Sequence, residues 1–227
     1  MDKKLDAYLK LARMFEEHSF HLYLVGGSVR DYLLFNKLDD IDVVTDALPD
    51  EVLSFFKGKV SSPFKNMGAL TLFFDGEKFD LTTLRKEMDY QDNRHPSKVE
   101  FIKDLKTDSF RRDFSLNAMY MDASLKIYDY HDGQKDLNNH LLKMIGDPEK
   151  RIKEDPLRII RALRFSLDYD LSFDSELEAA IKNNIFLLSL LNIEKIRMDM
   201  KKCHATKEEI SKIFAYFHIT YLLDMIN

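Results

Sequence analysis

Apolar residues recur at helical spacing at the start of the chain. Leu5, Leu9, Ala12 and Phe15 fall on one face and predict an amphipathic helix over residues 2–18. The short apolar run Leu22–Val25 predicts a strand, Gly26-Gly27 breaks it, and Ser28 is placed to cap a helix running to Phe35. Ile41–Val44, Ala69–Phe74 and Phe79–Leu84 are β-branched or aromatic with partial two-residue alternation, and predict three strands. Residues 87–97, which include Asp92, Asn93 and Pro96, predict a loop; Val99–Ile102 predicts a strand and Ser109–Met119 a helix. Beyond about residue 140 helical patterning takes over, most clearly in Pro156–Leu167 and Ser175–Ile185. Pro156 suits the first turn of its helix, where a missing N–H costs nothing. The expected class is α+β: a mixed-sheet front half and an all-helical back half, joined near residue 140.

Composition narrows the function classes. With 227 residues, 45% hydrophobic and 32% charged, the chain is neither disordered, collagen-like nor a disulfide scaffold. No apolar run approaches the roughly 20 residues of a membrane span, so no membrane partner is expected. Met1-Asp2-Lys3-Lys4 opens without the apolar segment of a signal peptide, and Cys203 is the only cysteine, so a cytoplasmic protein is expected. Total charge, 34 basic against 39 acidic residues, does not mark a nucleic-acid binder. Its distribution is more informative. Residues 31–51 hold seven acidic residues against Lys37 alone, whereas residues 150–164 hold six basic residues against Glu154 and Asp155, and residues 195–207 five against Asp199. Such a pattern suits a metal site followed by phosphate-holding surfaces, or simply solvated faces.

Four constellations could carry chemistry. In Leu24–Asp31 a strand ends in Gly26-Gly27 and enters a helix, exposing N–H groups at the positive end of a helix dipole, with Arg30 one turn on to add a charged fork to a phosphate. A plain turn is the alternative. In Asp40-Ile41-Asp42, strand periodicity puts both carboxylates on one face, where they repel unless a hard divalent cation such as Mg²⁺ lies between them; Asp80 on another strand could add a third carboxylate. The alternative is the polar face of an edge strand. In Arg111–Met119, Asp113 and Asn117 would share a helix face with Arg112 nearby, either as a binding group or as surface ion pairs. In Glu154–Phe165, Asp155, Arg158, Arg161 and Arg164 follow at steps of three. An Asp–Arg pair offers donors and acceptors in one plane, suited to a nucleobase edge, while further arginines suit phosphates. A salt-bridged basic stripe is the alternative.

Taken together and in order, LVGGSVRDYLLF, DDIDVVTDALPDEV, FDLTTLR, Y-x-D-x-RHP, RRDFSLNAM and EDPLRIIRALRF resemble the bacterial-type (class II) tRNA nucleotidyltransferase and poly(A) polymerase family, over roughly residues 20–185. The resemblance implies a nucleotidyltransferase head domain over about 1–140, a nucleobase-recognising helical neck over about 141–200 and a helical stub of a body domain over 201–227. It implies template-independent addition of CMP and AMP from CTP and ATP to a tRNA 3′ end, by two-metal transfer with Mg²⁺. Gly26, Gly27 and Arg30 would meet the triphosphate; Asp40 and Asp42 would bind metal, with Asp80 as third catalytic carboxylate. Arg112, Asp113 and Asn117 would support the nucleotide, Asp155 and Arg158 would pair with its base, and Arg161 and Arg164 would hold phosphates or orient that pair. The segment around Tyr90, Asp92, Arg94 and Pro96 matches the family's flexible loop associated with the terminal A. Family members are longer, and their body and tail grip tRNA. An A-adding enzyme or poly(A) polymerase using ATP only is the alternative within the family, and a nucleotide- or RNA-binding module without turnover is the alternative outside it.

Overall fold

The structure, a computed structural model, describes residues 2–90 and 96–226. The chain divides into two compact units, the first made of Met1–Asp89, Pro96–Arg112 and Leu116–Gly133, the second chiefly of Asp113–Ser115 and Gln134–Asn227.

In the first unit the order is α1 (Lys3–Glu17), β1 (Leu22–Val25), α2 (Gly27–Phe35), β2 (Ile41–Thr45), α3 (Pro49–Phe55), β3 (Lys59–Ser61), β4 (Ala69–Phe74), β5 (Glu77–Thr83), β6 (Arg85–Tyr90), β7 (Pro96–Phe101), α4 (Leu105–Ser109), β8 (Tyr120–Met121) and β9 (Ile127–Tyr128). Seven strands form one mixed sheet in the order β3-β4-β5-β2-β1-β8-β9, with β2 and β5 parallel and the other pairs antiparallel. Alternation along the strands gives the sheet two apolar faces. Leu24, Ile41, Val43, Leu70, Leu72, Phe79 and Leu81 belong to the larger core, which Leu5, Tyr8, Leu11 and Phe15 of α1 cover. Val25, Val44, Leu84, Leu105 and Tyr120 form a smaller one. Helix α1 starts where Asp2 accepts a hydrogen bond from Lys4 N–H at 2.9 Å, and the expected face is present except that Leu9 is only partly buried.

Three expectations need correction here. Gly26, not Ser28, is the N-cap of α2, because the chain turns there with φ +63°, a conformation that favours glycine, and the Ser28 hydroxyl is used elsewhere. Asp40 lies in a bend ahead of β2, so the carboxylate pair straddles the strand's start. Residues 87–97 are not one loop. Their flanks lie in β6 and β7, which pair as a separate two-stranded sheet, while Asp92 and Arg94 lie outside the described residues.

The helix expected over 109–119 is also absent. Helix α4 stops at Ser109, and only a single 3₁₀ turn follows at Ser115–Asn117. The Asp113 carboxylate accepts from Phe114 N–H at 3.0 Å, Ser115 N–H donates to Lys143 O at 3.0 Å and Ile145 N–H donates to Asp113 O at 2.9 Å. These partners replace the i−4 carbonyls a helix would need.

The second unit contains α5 (Gly133–Asn138, starting at its boundary), β10 (Leu141–Leu142), α6 (Pro148–Glu154), α7 (Leu157–Asp168), β11 (Ser172–Phe173), α8 (Ser175–Asn184), α9 (Ile193–Met200), α10 (Lys207–Tyr216) and α11 (Leu223–Ile226). It is helical apart from the parallel pair β10–β11, which the sequence pattern did not predict. Pro156 is the N-cap of α7 rather than a first-turn residue, and Leu157, Ile159, Ile160, Ala162 and Leu163 bury the helix's apolar side. Ile219 and Leu222, near the end of the chain, are buried in its core.

Candidate active site

In the first unit the site forms where β1 turns into α2. Gly26 leaves no Cβ between the turn and the Asn117 carbonyl or the Arg112 guanidinium; a Cβ at Gly27 would lie 3.4 Å from Arg30 Nη2 and 4.0 Å from Asp42 Oδ2. The Gly26 N–H itself donates to Met119 O at 3.3 Å, and α2 begins at Gly27 close to Asp42. Ser28 Oγ donates to Asp40 O at 2.9 Å and accepts from Asp42 N–H at 2.8 Å.

The parallel register of β2 and β5 sets Asp42 opposite Asp80. Thr71 Oγ1 donates to Asp80 at 2.9 Å and Lys78 Nζ donates to its other oxygen at 2.7 Å. Burial pushes the Asp42 carboxyl up to about 6; the neighbouring Asp80 and Asp40 charges add to the rise, and Arg112 and Lys78 oppose it. A half-buried carboxylate that resists ionisation beside two others is a place where a dication is favourable. No group of three or more His, Cys, Asp or Glu side chains is drawn together to hold a metal among the described residues. Mg²⁺ takes one or two carboxylates and completes its shell with water and substrate phosphates. Asp40 and Asp42 fit such an ion.

Arg30, expected to meet a phosphate, is 5% exposed and turned inward. Its Nε and Nη2 donate to Asp31 at 2.8 and 3.1 Å, and Nη1 donates to Asn117 Oδ1 at 2.7 Å. Arg30 therefore fixes Asn117 beside the glycine turn. Arg112 packs 5.1 Å from the Tyr120 ring and donates to Asp108 at 3.0 Å. Asp108 went unassigned in the sequence, yet it is fully buried and gathers Arg111 at 2.8 Å, Tyr120 Oη at 2.8 Å and Arg85 N–H at 3.0 Å. Burial alone would raise its carboxyl; the Arg111 and Arg112 charges and these hydrogen bonds instead hold it near 2. Its signal was present as an acid three and four residues before two arginines, at the end of a helix.

The second unit holds Asp113, Asp155, Arg158 and Arg161. Asp155 accepts from Leu157 N–H at 3.1 Å and from Arg161 Nη2 at 2.6 Å, while Arg161 Nη1 lies 3.4 Å from Asp113 Oδ2. Burial would raise the Asp113 carboxyl, but Arg161 and Arg158 hold it low. Arg158, 4% exposed, donates through Nη1 to Arg151 O at 2.5 Å and lies 3.3 Å from Glu154, and its Nε is buried without a hydrogen-bond partner among the described residues. The direct partner of Asp155 is thus Arg161, and Glu154, quoted in the motif without a role, holds Arg158. Asp113 does not share a helix face with Asn117, which lies in the first unit. Arg164 does not join the cluster: it pairs with Asp199 at 3.1 Å and Asp168 at 3.6 Å and stacks on Phe165 at 4.3 Å. Within α7, the six residues from Arg158 turn Arg164 about 120° around the helix.

The chain was compared with known proteins. Residues 22–143 match the family described as the Poly A polymerase head domain. A CCA-adding enzyme of Staphylococcus haemolyticus is 43% identical over 187 residues, covering 82% of this chain and 46% of the relative. Among solved structures, the Bacillus stearothermophilus CCA-adding enzyme in complex with CTP matches at TM-score 0.85 and 28% identity, covering 96% of this chain and 53% of that one. A tRNA nucleotidyltransferase complexed with a primer tRNA and an incoming ATP analog matches at TM-score 0.77 and 26% identity, covering 95% and 62%. The chain thus spans about half the length of the relatives it matches. No helix among the described residues is long and apolar enough to cross a membrane.

Proposed function

Because the chain belongs to the tRNA nucleotidyltransferase and poly(A) polymerase family, we propose that it transfers CMP and AMP from CTP and ATP to a tRNA 3′ end, with Mg²⁺ as its ion. The observation that carries this reading is the register that sets Asp42 opposite Asp80 beside the Gly26-Gly27 turn, with the Asp42 carboxyl raised to about 6. A cytoplasmic location goes with such a substrate.

In this reading the N–H groups at the start of α2, from Gly27 on, and the Arg112 guanidinium receive the triphosphate, Arg112 being aimed by Asp108 and Tyr120. Asp40 and Asp42 hold Mg²⁺. Two such ions, bound there, would supply a lowered pKa for the RNA 3′-hydroxyl and neutralisation of the charge on the departing pyrophosphate. The 3′-oxygen gives up its proton to water and bonds to the α-phosphorus, the α–β bridging P–O bond breaks and pyrophosphate leaves. Asp80, held by Thr71 and Lys78, is the third carboxylate at which the hydroxyl is positioned. No nucleophilic side chain is required, because positioning and charge neutralisation do the work in phosphoryl chemistry. In the second unit, Asp155 presents an acceptor and Arg158 a donor to the base, with Arg161 and Glu154 fixing their orientations. Arg30 and Asn117 brace the turn, and Arg164 serves stability.

The test is incorporation into three tRNA transcripts ending before CCA, after C and after CC, each with Mg²⁺ and CTP, ATP or both. Growth by three nucleotides on the first transcript is the expected result. Addition to the CC-ended transcript alone would make the chain an A-adding enzyme, long ATP tails a poly(A) polymerase, and nucleotide binding without extension a module without turnover.

A further inference from the structure

Ser28 lies in the first turn of α2 and is 2% exposed. Its single hydroxyl bonds the main chain on both sides of Ile41: it donates to Asp40 O at 2.9 Å and accepts from Asp42 N–H at 2.8 Å. These atoms lie where the sheet leaves a gap. The ladder between β1 and β2 runs from Leu22↔Thr45 to Leu24↔Val43, beyond which β1 bends away at Gly26. On its other side β2 remains paired with β5 through Asp42↔Asp80 and Ile41↔Phe79. Ser28 therefore supplies the hydrogen bonds that the chain gives up on the β1 side by turning, at the two residues that carry the carboxylates. Ile41, 3% exposed, anchors the middle of the same arc in the core.

We propose that Ser28 is a positioning residue for nucleotidyl transfer: its Oγ clamps the Asp40–Asp42 arc to the first turn of α2, so that the metal carboxylates and the triphosphate-receiving glycine turn keep one fixed geometry. The inference rests on the reading of Asp40 and Asp42 as metal carboxylates. Both hydrogen bonds of the hydroxyl go to the main chain. It acts only through backbone atoms on either side of Ile41, and an alanine would leave the helix intact while removing the clamp.

The test is Mn²⁺ binding to the whole chain, followed by the electron paramagnetic resonance of free Mn²⁺, for wild type, Ser28→Ala, Ser28→Thr and Asp42→Asn, with thermal unfolding alongside. Removing a residue that orients ligands weakens metal binding by about 10- to 100-fold. Ser28→Ala is expected in that range, Ser28→Thr, which keeps the hydroxyl, within about twofold of wild type, and Asp42→Asn without measurable binding. The Mg²⁺ concentration giving half-maximal incorporation should rise in step for Ser28→Ala, with kcat at saturating Mg²⁺ largely recovered. Unchanged Mn²⁺ affinity in Ser28→Ala, with Asp42→Asn silent, overturns the inference and leaves the function standing. Wild-type affinity in Asp42→Asn overturns the metal reading and this inference with it. If Ser28→Ala does not fold, Ser28→Cys, close in volume and weak in hydrogen bonding, takes its place with the same two outcomes.

Discussion

The two charged clusters handle buried charge in opposite ways. In the first unit, Asp42 has like-charged neighbours and too little compensation, and its carboxyl rises to about 6. In the second, Asp113 is just as closely surrounded but by guanidiniums, and its carboxyl falls; Arg161 bridges it to Asp155. On the proposed function, a cluster left short of positive charge would take a cation from solution, whereas one already neutralised by its own arginines would be set in shape before a base arrives and offer it a fixed pattern of donors and acceptors.

Three measurements press on this contrast. The largest effect is expected for Asp42→Asn, which should lower nucleotide transfer by about 10²- to 10³-fold, in the range seen when a transition-state electrostatic group is lost. The same change should raise the thermal midpoint of the metal-free protein, because it removes a charge the fold resists. A lowered midpoint would mean that Asp42 is already well compensated. Next is Asp108, the well-compensated carboxylate of the same unit. Its folded value near 2 lies below the ordinary 3.8, so its contribution of about 2 kcal/mol is present above about pH 4 and is lost as pH falls toward 2. Urea unfolding of Asp108→Asn should show that loss already at neutral pH, together with a flatter dependence on acid than wild type. The smallest effect is expected for Arg164→Ala. Its links to Asp168 and Asp199 predict a midpoint lowered by a few degrees and nucleotide affinity within about twofold of wild type by calorimetry. A large loss of affinity would place Arg164 back in the binding cluster.

Much of the first unit could be read from the chain because its signals are local. Leu22–Val25 and Ala69–Phe74 are strands at the expected residues, and α1 differs from expectation by one residue at each end. The segment Ser109–Met119 misled for a physical reason. Its spacing is helical, but its backbone partners are Lys143 and Ile145, some thirty residues on, and no local pattern announces them. The same limit applies to the sites. The types and order of Asp40, Asp42, Asp80, Asp155 and Arg158 stand in the sequence. That Arg161 rather than Arg158 grips Asp155, that Arg30 turns inward to Asn117, and that Asp108 collects two arginines depend on packing. Ser28 illustrates the point most simply: its residue type suited a helix cap, and the conformational freedom of Gly26 released it for another task.

The interleaving of the two units has a consequence for recombination. Asp113–Ser115 belongs to the second unit, while the residues immediately before and after it belong to the first. A crossover near residue 134 that exchanged only the later half between relatives would seat a new Arg161 against an Asp113 inherited from the other parent, and a new Lys143 against the old Ser115. Chimaeras should therefore tolerate that junction only when the three-residue insert travels with the C-terminal half, so that in heredity a single cut there does not separate two cassettes.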